Sequence, residues 1–511
     1  MRHTIIAFLL LSLGACAVNP VTGKNQLSFT SPQQEIAIGQ KHYIPTQQSQ
    51  GGQYYLDPEL TLYVNQVGKR LGALSGNTNL PYEFVVLNDS TPNAWALPGG
   101  KIAINRGLML ELDNEAELAA VLGHEVTHSA ARHSAQKMDQ ATLLGVGMTV
   151  LGAATANEQY GNLVVGGAAL GAQLVQSKYG RDDELEADYY GMQYMSEAGY
   201  NPQGAVKLQE TFVRLSKGRQ SDWISGLFAS HPPSQSRVDA NIKTAASLPA
   251  GGTNNRAAYQ SKIGKLIKDK PAYDAYDKAK QAFTKKDYQS ALSLVNSAIA
   301  KQNQESIFHE LKGMALEAKG SKKSALSAYN KAISLNSHYF SHYLRRGLLK
   351  QALGDTSGAN ADLKASNKLL PTAAANYNLG TNALAAGNQQ VAVQYLQTSA
   401  RAGGEWGQAS RNHISRIELP TRPGKYLPVA SKVTSDNKLE VTVGNRSPHT
   451  VKNIVIEVSR RDGYRWQVVD TLRISGPLAP NQGRRVVSSR VNNITPSQLS
   501  GLQVLVKRAA L

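Results

Sequence analysis

The sequence predicts a multidomain chain: a mainly helical domain with a small β-sheet, then an α-helical repeat solenoid, then a C-terminal all-β sandwich-like domain. Three observations carry this expectation. The chain has 511 residues, too many for one core. Its apolar pattern becomes a regular repeat after about residue 256 and a two-residue alternation after about residue 421. Hydrophobic residues make up 41% of it, a globular composition.

The first residues, MRHTIIAFLLLSLGAC, place Arg2 before a short apolar run, Ile5 to Leu13. That run is a signal sequence rather than a spanning helix. Leu13-Gly14-Ala15-Cys16 resembles a bacterial lipoprotein box, in which Cys16 becomes the lipidated N-terminus of the mature chain. Cys16 is the single cysteine, so no intrachain disulfide can form. Ala17 stands where an aspartate would retain such a lipoprotein at the inner membrane. The expected location is therefore the periplasmic face of the outer membrane, lipid-anchored, with the soluble periplasm as the alternative.

The expected divisions are a signal peptide over 1–15, a tether over 16–30, a first domain over 31–247, repeats over 256–405 and a β domain over 421–511. In the first domain, Ser31-Pro32 opens a helix, and PELTLYVNQVGKRLG (Pro58 to Gly72) spaces apolar residues at helical intervals. Tyr82 to Leu87 and Lys101 to Ile104 read as strands flanking Asn93 to Gly100. Glu111 to Gln140 reads as one long helical run. The Gly/Ala-rich stretch that follows, to about residue 175, reads as small-residue helices beside the site, with a membrane contact left open. LPAGGTNN (Leu248 to Asn255) reads as a linker.

Ala291, Ala325, Ala359 and Ala392 then recur at intervals of 34, 34 and 33 residues. Val295, Tyr329, Leu363 and Leu396 follow each by four, and Gly313, Gly347 and Gly380 lead the last three by twelve. This registry resembles tetratricopeptide repeats, stacked helical hairpins that form a docking surface. Beyond Thr421, LEVTVGN, VKNIVIEVSRR, RWQVVDTLRIS and RRVVSSRV alternate as strands.

Charge is uneven. The net +18 is concentrated in residues 251–400 (20 Lys/Arg against 9 Asp/Glu) and 401–511 (18 against 7), whereas 16–250 hold 16 against 21. The basic half suits anionic lipid headgroups or acidic partners. No zinc-finger, RNA-binding or helix-turn-helix pattern is present, and the signal sequence directs the chain away from nucleic acid.

The chemistry concentrates in His124, Glu125 and His128, the motif HEVTH. Residues four apart share a helix face, so both imidazoles can reach one metal while Glu125 meets a water beside it. A third ligand is required. Arg181 to Asp188, RDDELEAD, offers Glu184 and Asp188, again four apart: one can join the ligands while the other receives an imidazole N–H. Glu186 should point elsewhere, and His133, about 140° round the helix from His128, reads as a structural histidine.

Together these motifs resemble the M48 metallopeptidase family, over about residues 20 to 245 and, through the repeats, to about 400. The resemblance implies a zincin-like metallopeptidase domain with one zinc ion per chain, held by His124, His128 and Glu184, with Glu125 as catalytic base and Asp188 behind the ligands. It implies that Asn93, Ala94, Trp95 and Ala96 belong to an edge strand that pairs with substrate backbone. Ser230-His231-Pro232-Pro233 and Arg237 match the family's HP…R element, which makes His231 a residue that caps the metal or supports the transition state, and Arg237 a structural partner. Gly180, where a serine often stands, departs from the pattern without touching a ligand. The expected activity is endoproteolysis of misfolded or stalled envelope proteins. Repeats would dock unfolded outer-membrane proteins or their assembly machinery. The competing expectation is a periplasmic chaperone or adaptor with a mostly latent site.

Overall fold

The computed structural model describes residues 16–143, 173–175, 178–218 and 230–511. The expected signal peptide and nearly all of the Gly/Ala-rich stretch lie outside the described residues. Contacts divide the chain into two compact units, Met1–Ala375 and Asn376–Leu511.

The first unit begins with the antiparallel pair β1 (Cys16–Val18) and β2 (Asn25–Leu27). The 16–30 segment, expected as a tether, is fastened to the domain: Asn19 Nδ2 donates to Ala131 O at 3.2 Å, and Asp139 accepts from Phe29 N and Thr30 Oγ1. Helix α1 (Pro32–Ser49) starts with a capping box between Ser31 and Gln34 and with Pro32 in its first turn, where no amide hydrogen is needed. Helix α2 (Pro58–Gly72) buries Leu60, Val64, Val67 and Leu71 along one stripe.

That stripe packs near a three-stranded sheet formed by β3 (Glu83–Leu87), β4 (Ala94–Leu97) and β5 (Lys101–Asn105), ordered β3-β5-β4. β3 runs parallel to β5, and β4 pairs antiparallel with it in the register Trp95↔Ala103. Gly99 and Gly100 make the β4–β5 turn at φ 76° and 77°, a conformation that costs glycine nothing.

Helix α3 (Glu115–Ala130) passes beneath this sheet with all sixteen residues buried. Its N-terminus collects donors: Tyr63 and Tyr200 hydroxyls and Asn255 Nδ2 all reach the Glu115 carboxylate, and Glu115 N donates to Asn254 O. The expected linker is therefore tied down at its end.

The single long helix expected over Glu111 to Gln140 is two helices. Arg132, at φ 64°, separates α3 from α4 (His133–Leu143). A buried anchor holds this break, since the Arg132 guanidinium donates to Glu35 Oε1, Ser28 Oγ and Thr30 O. Periodicity alone does not report such a tertiary anchor.

Helix α5 (Arg181–Glu197) crosses α3, and α6 (Gln203–Gly218) and α7 (Gln235–Ser247) complete the bundle. Helices α8 (Arg256–Lys262) and α9 (Gly264–Thr284) lead into α10 (Tyr288–Lys301), α11 (Ser306–Ala318), α12 (Lys322–Leu335), α13 (Phe340–Ala352) and α14 (Thr356–Leu369). Successive helices pair as hairpins, α9 with α10, α11 with α12 and α13 with α14. The repeat signature has a steric basis: Gly313 lies against the Tyr329 ring and Gly347 against Leu363. Arg106, directly after β5, joins these helices to the sheet. It is buried, donates to Asn88 Oδ1 and Ser90 Oγ, and stacks 3.4 Å from the Tyr273 ring of α9.

In the second unit, α16 (Gln389–Ala400) and α17 (Gly404–Glu418) follow α15 (Ala373–Ala385), whose start lies just before the division. Two three-stranded antiparallel sheets then stack. One is ordered β10-β7-β6, from β6 (Val429–Val433), β7 (Leu439–Gly444) and β10 (Gly483–Val487). The other is ordered β11-β8-β9, from β8 (Lys452–Asp462), β9 (Arg465–Ile474) and β11 (Leu502–Ala510). Leu439, Val441, Val443, Ile454, Ile456, Val458, Leu472 and Ile474 share one core. β6 and β11 carry weaker alternation and were not expected from sequence.

The α3–α5 crossing runs backbone to backbone, because a Cβ on Gly191 would lie 2.8 Å from both Gly123 C and His124 N. Alanine at 191 gains about 1 kcal/mol of helix propensity but must push the helices apart, at a cost of about 1–3 kcal/mol. We expect Gly191→Ala to lower the thermal midpoint, followed by circular dichroism, while Gly264→Ala, open on all sides, does not. An unchanged midpoint in Gly191→Ala would remove the crossing constraint.

Candidate metal centre

The α3–α5 crossing brings two separated sequence motifs together. His124 and His128 project from α3, Glu184 and Asp188 from α5, and His231 and Arg237 from the segment that ends in α7. Ligand atoms of His124, His128, Glu184 and His231 all lie within 4.8 Å of one another, and all four residues are buried. The Nε2 atoms of His124 and His128 are 3.0 Å apart, and His231 Nδ1 lies 3.2 Å from His124 Nε2 and 2.9 Å from Glu184 Oε1.

Hydrogen bonds on the far sides of the rings assign their tautomers. His124 Nδ1–H is directed to Asp188 Oδ1 at 2.9 Å. That leaves a lone pair on Nε2 of the neutral ring. His133 Nε2 lies 3.1 Å from Glu186 Oε1, so it donates there and its Nδ1 accepts from His128 Nδ1–H at 2.8 Å. His128 Nε2 therefore also turns a lone pair inward. Two lone pairs 3.0 Å apart cannot hydrogen-bond to each other, and a cation between them and Glu184 answers the conflict. The donor set of two imidazoles and a carboxylate thus fits a metal ion.

Protonation equilibria agree with this arrangement. Burial holds His128 well below the ordinary histidine range, and so neutral. Burial would raise Glu184, but His231, His128 and His124 hold it well below the usual carboxylate range. Burial would likewise raise Asp188, which Arg237 instead keeps low by donating from Nε and Nη2 at 2.7 Å each. Arg237 Nη1 also lies 2.7 Å from Glu184 Oε2, so one guanidinium supports both carboxylates. Glu125 behaves differently: burial raises its carboxyl, with only partial opposition from His231 and His124. Its Oε2 has no hydrogen-bond partner among the described residues. A cavity of about 30 Å³, lined by His124, Glu125, His231, Val121 and Phe212 among others, lies beside it. That is space for about one water molecule.

Every site residue picked out in the sequence lies in or beside this cluster, except the strand residues. β4 is one of the two outer strands of its sheet, with Ala94, Trp95 and Ala96 buried and Asn93 half-buried. The Trp95 indole packs edge-on against Tyr43 and donates to Gln50 Oε1, so its side chain serves the core. Glu186 points away from the centre, as its spacing predicts, and His133 is a hydrogen-bonded structural histidine, whose partners spacing alone did not name. His133 touches His128 because the chain turns at Arg132, and Glu186 holds His133. Both contacts needed the helix break.

A helical domain with an imidazole–carboxylate centre at a helix crossing is the class that the fold and site define. Residues 58–245 match the model of peptidase family M48. Metalloprotease YcaL of Escherichia coli K12 is 34% identical over 180 residues, which cover 34% of this chain and 68% of that protein. Mitochondrial metalloendopeptidase OMA1 of Schizosaccharomyces pombe is 39% identical over 179 residues, covering 35% of this chain and 51% of that one. Beta-barrel assembly-enhancing protease of Yersinia pestis is 32% identical over 229 residues, 43% and 45% of the two chains. The chain belongs to peptidase family M48, and it spans about half the length of the last two relatives. No described helix is long and apolar enough to cross a membrane.

The His128–His133–Glu186 chain predicts a measurable effect. His133→Ala frees the His128 ring to rotate and lose its tautomer, so metal affinity should fall about 10–100-fold in competition with a chelating dye. A folded His133→Ala variant with full affinity would sink the relay.

Proposed function

We propose that this protein is a zinc-dependent metalloendopeptidase that cuts misfolded or stalled envelope proteins. The observation that carries this reading is the pairing of inward lone pairs on His124 and His128 with Glu184 and a buried Glu125 carboxylate whose Oε2 has no hydrogen-bond partner among the described residues. His124, His128 and Glu184 would hold the ion. The nitrogen-rich set with one carboxylate favours zinc over calcium or magnesium. Zinc, when bound there, supplies Lewis acidity toward water and the scissile carbonyl.

The chain's own residues do the rest. Glu125, whose carboxyl is raised by burial, takes the proton of the attacking water at Oε2 and passes it to the departing amine. Asp188 and Arg237 hold the His124 ring and the Glu184 carboxylate in place. β4 offers an edge along which an extended segment can pair through backbone groups, giving broad sequence tolerance. That tolerance suits quality control.

His231 sits against Glu184 and 3.7 Å from Glu125. Its imidazole is held above the ordinary histidine range: burial opposes the charge, but Glu184 and Glu125 prevail. In this position it closes the site, and displaced from it the ring becomes an oxyanion donor. This contact favours a second reading, a chaperone or adaptor whose protease site is mostly latent. The repeats would dock unfolded outer-membrane proteins or an assembly machinery. One relative is named for enhancing β-barrel assembly, and we carry that role to this chain as part of the proposal. Anchoring through lipidated Cys16 at the outer membrane completes it.

Elemental analysis of the purified chain should find about one zinc per chain, lost in Glu184→Ala. Glu125→Gln should keep the zinc but lose casein cleavage by a factor of at least about 10². Retained cleavage would remove the proposed base. His231→Ala should raise cleavage if this ring is the cap, and undiminished latency would remove the switch. Client holding that survives in Glu125→Gln would favour the chaperone reading.

A further inference from the structure

The second unit carries a surface that neither the metal centre nor the repeats explain. In the β11-β8-β9 sheet, alternation sends Ile454, Ile456, Val458, Leu472 and Ile474 into the core. The opposite face should be polar. It instead exposes Trp466 at 45%, Val468 at 55% and Leu505 at 43%. The register places these together: Trp466 pairs with Arg461, Val468 with Ser459, and Leu505 with Glu457 two positions further along β8. Arg473 and Lys507 extend the same face beyond them.

Past Ser459 the β8–β9 hairpin outruns the core, and every residue from Arg460 to Val468 is exposed. Its tip reads Arg-Arg-Asp-Gly-Tyr-Arg-Trp, with Tyr464 99% exposed at the turn. Gln467 Nε2 takes up Asp462 Oδ2, while Arg460 and Arg465 form no ion pair among the described residues. A convex tip that joins bare aromatic rings to uncompensated guanidinium groups does not suit a pocketed protein partner. It suits a bilayer surface, where Trp and Tyr settle at headgroup depth and arginines meet lipid phosphates.

We propose that the β8–β9 hairpin is a membrane-surface anchor that inserts Tyr464 and Trp466 into the interface of an anionic bilayer, with Arg460, Arg461 and Arg465 on its phosphates. The surplus of 18 Lys/Arg over 7 Asp/Glu in residues 401–511 adds a longer-range attraction to the same surface. The anchor is independent of proteolysis and of Cys16. It would set the second unit against the bilayer that the proposed lipid holds nearby.

The test uses the full chain carrying Cys16→Ser, which excludes an acyl chain as the cause of binding. Cosedimentation is measured with vesicles of phosphatidylcholine and with an equimolar mixture of phosphatidylcholine and phosphatidylglycerol. We expect binding to the anionic vesicles, weakened by salt, with tryptophan emission quenched by brominated lipid. A Tyr464→Ser/Trp466→Ser double variant, which keeps every charge, should lose that quenching and bind roughly 10-fold less tightly. Replacing Arg460, Arg461 and Arg465 by Gln should cost on the order of 100-fold, at about fivefold for each charge near the surface. These residues lie outside the core, so unchanged thermal midpoints are expected. No binding to anionic vesicles, or binding that survives both sets of substitutions, overturns the proposal. Equal capture of polyglutamate with equal dependence on Tyr464 and Trp466 also overturns it, by making the hairpin a protein-docking surface.

Discussion

Neither Gly123 nor Gly191 carries a side chain, and α3 and α5 therefore cross with their backbones in contact. His124 begins directly after one glycine, and Asp188 precedes the other by less than one turn. The crossing thus sets how far the imidazoles of one helix stand from the carboxylates of the other. The 2.9 Å contact between His124 and Asp188 depends on this separation, as does the reach of Glu184 toward His128. A wider crossing would leave buried polar groups unpaired, a costly outcome in a dry interior.

Charge is balanced at the same place. Three buried carboxylates, Glu125, Glu184 and Asp188, face a single arginine and a set of imidazoles among the described residues. Arg237 serves the two carboxylates that support or hold the proposed metal and leaves Glu125 to its surroundings. Burial then acts unopposed enough to raise Glu125, while its neighbours stay ionised. Similar side chains acquire different proton affinities because their partners differ: Arg237 holds Asp188 low, His231, His128 and His124 hold Glu184 low, and at Glu125 burial prevails over its neighbours.

The repeats are joined to the first domain by polar contacts. Glu305, at the start of α11, accepts from Asn88 Nδ2 and from the Tyr273 hydroxyl, and Arg106 stacks on that tyrosine. Arg106 follows β5, the strand that pairs with β4. The proposed docking surface and the proposed substrate edge are therefore separated by one strand and one buried network. Such a network is expensive to leave partly satisfied, which favours one relative placement of the two parts.

The motifs HEVTH and RDDELEAD, the 34-residue registry and the late change to alternation are all local patterns. A helix places residues four apart on one face whatever surrounds it, so the sequence alone determined which side chains could converge and where hairpins would repeat. It also determined that a third ligand must come from elsewhere. The tertiary structure decided the rest. His133 meets His128 only because a buried Arg132, held by Glu35, Ser28 and Thr30, ends α3 at a left-handed residue. Trp95 turned out to anchor the core, because Tyr43 and Gln50 of the first-helix region pack against it. Strands β6 and β11, with weak alternation of their own, owe their form to the partners β7 and β8. Periodicity reports which face a residue occupies, whereas the groups that meet across that face depend on distances the chain acquires only when it is packed.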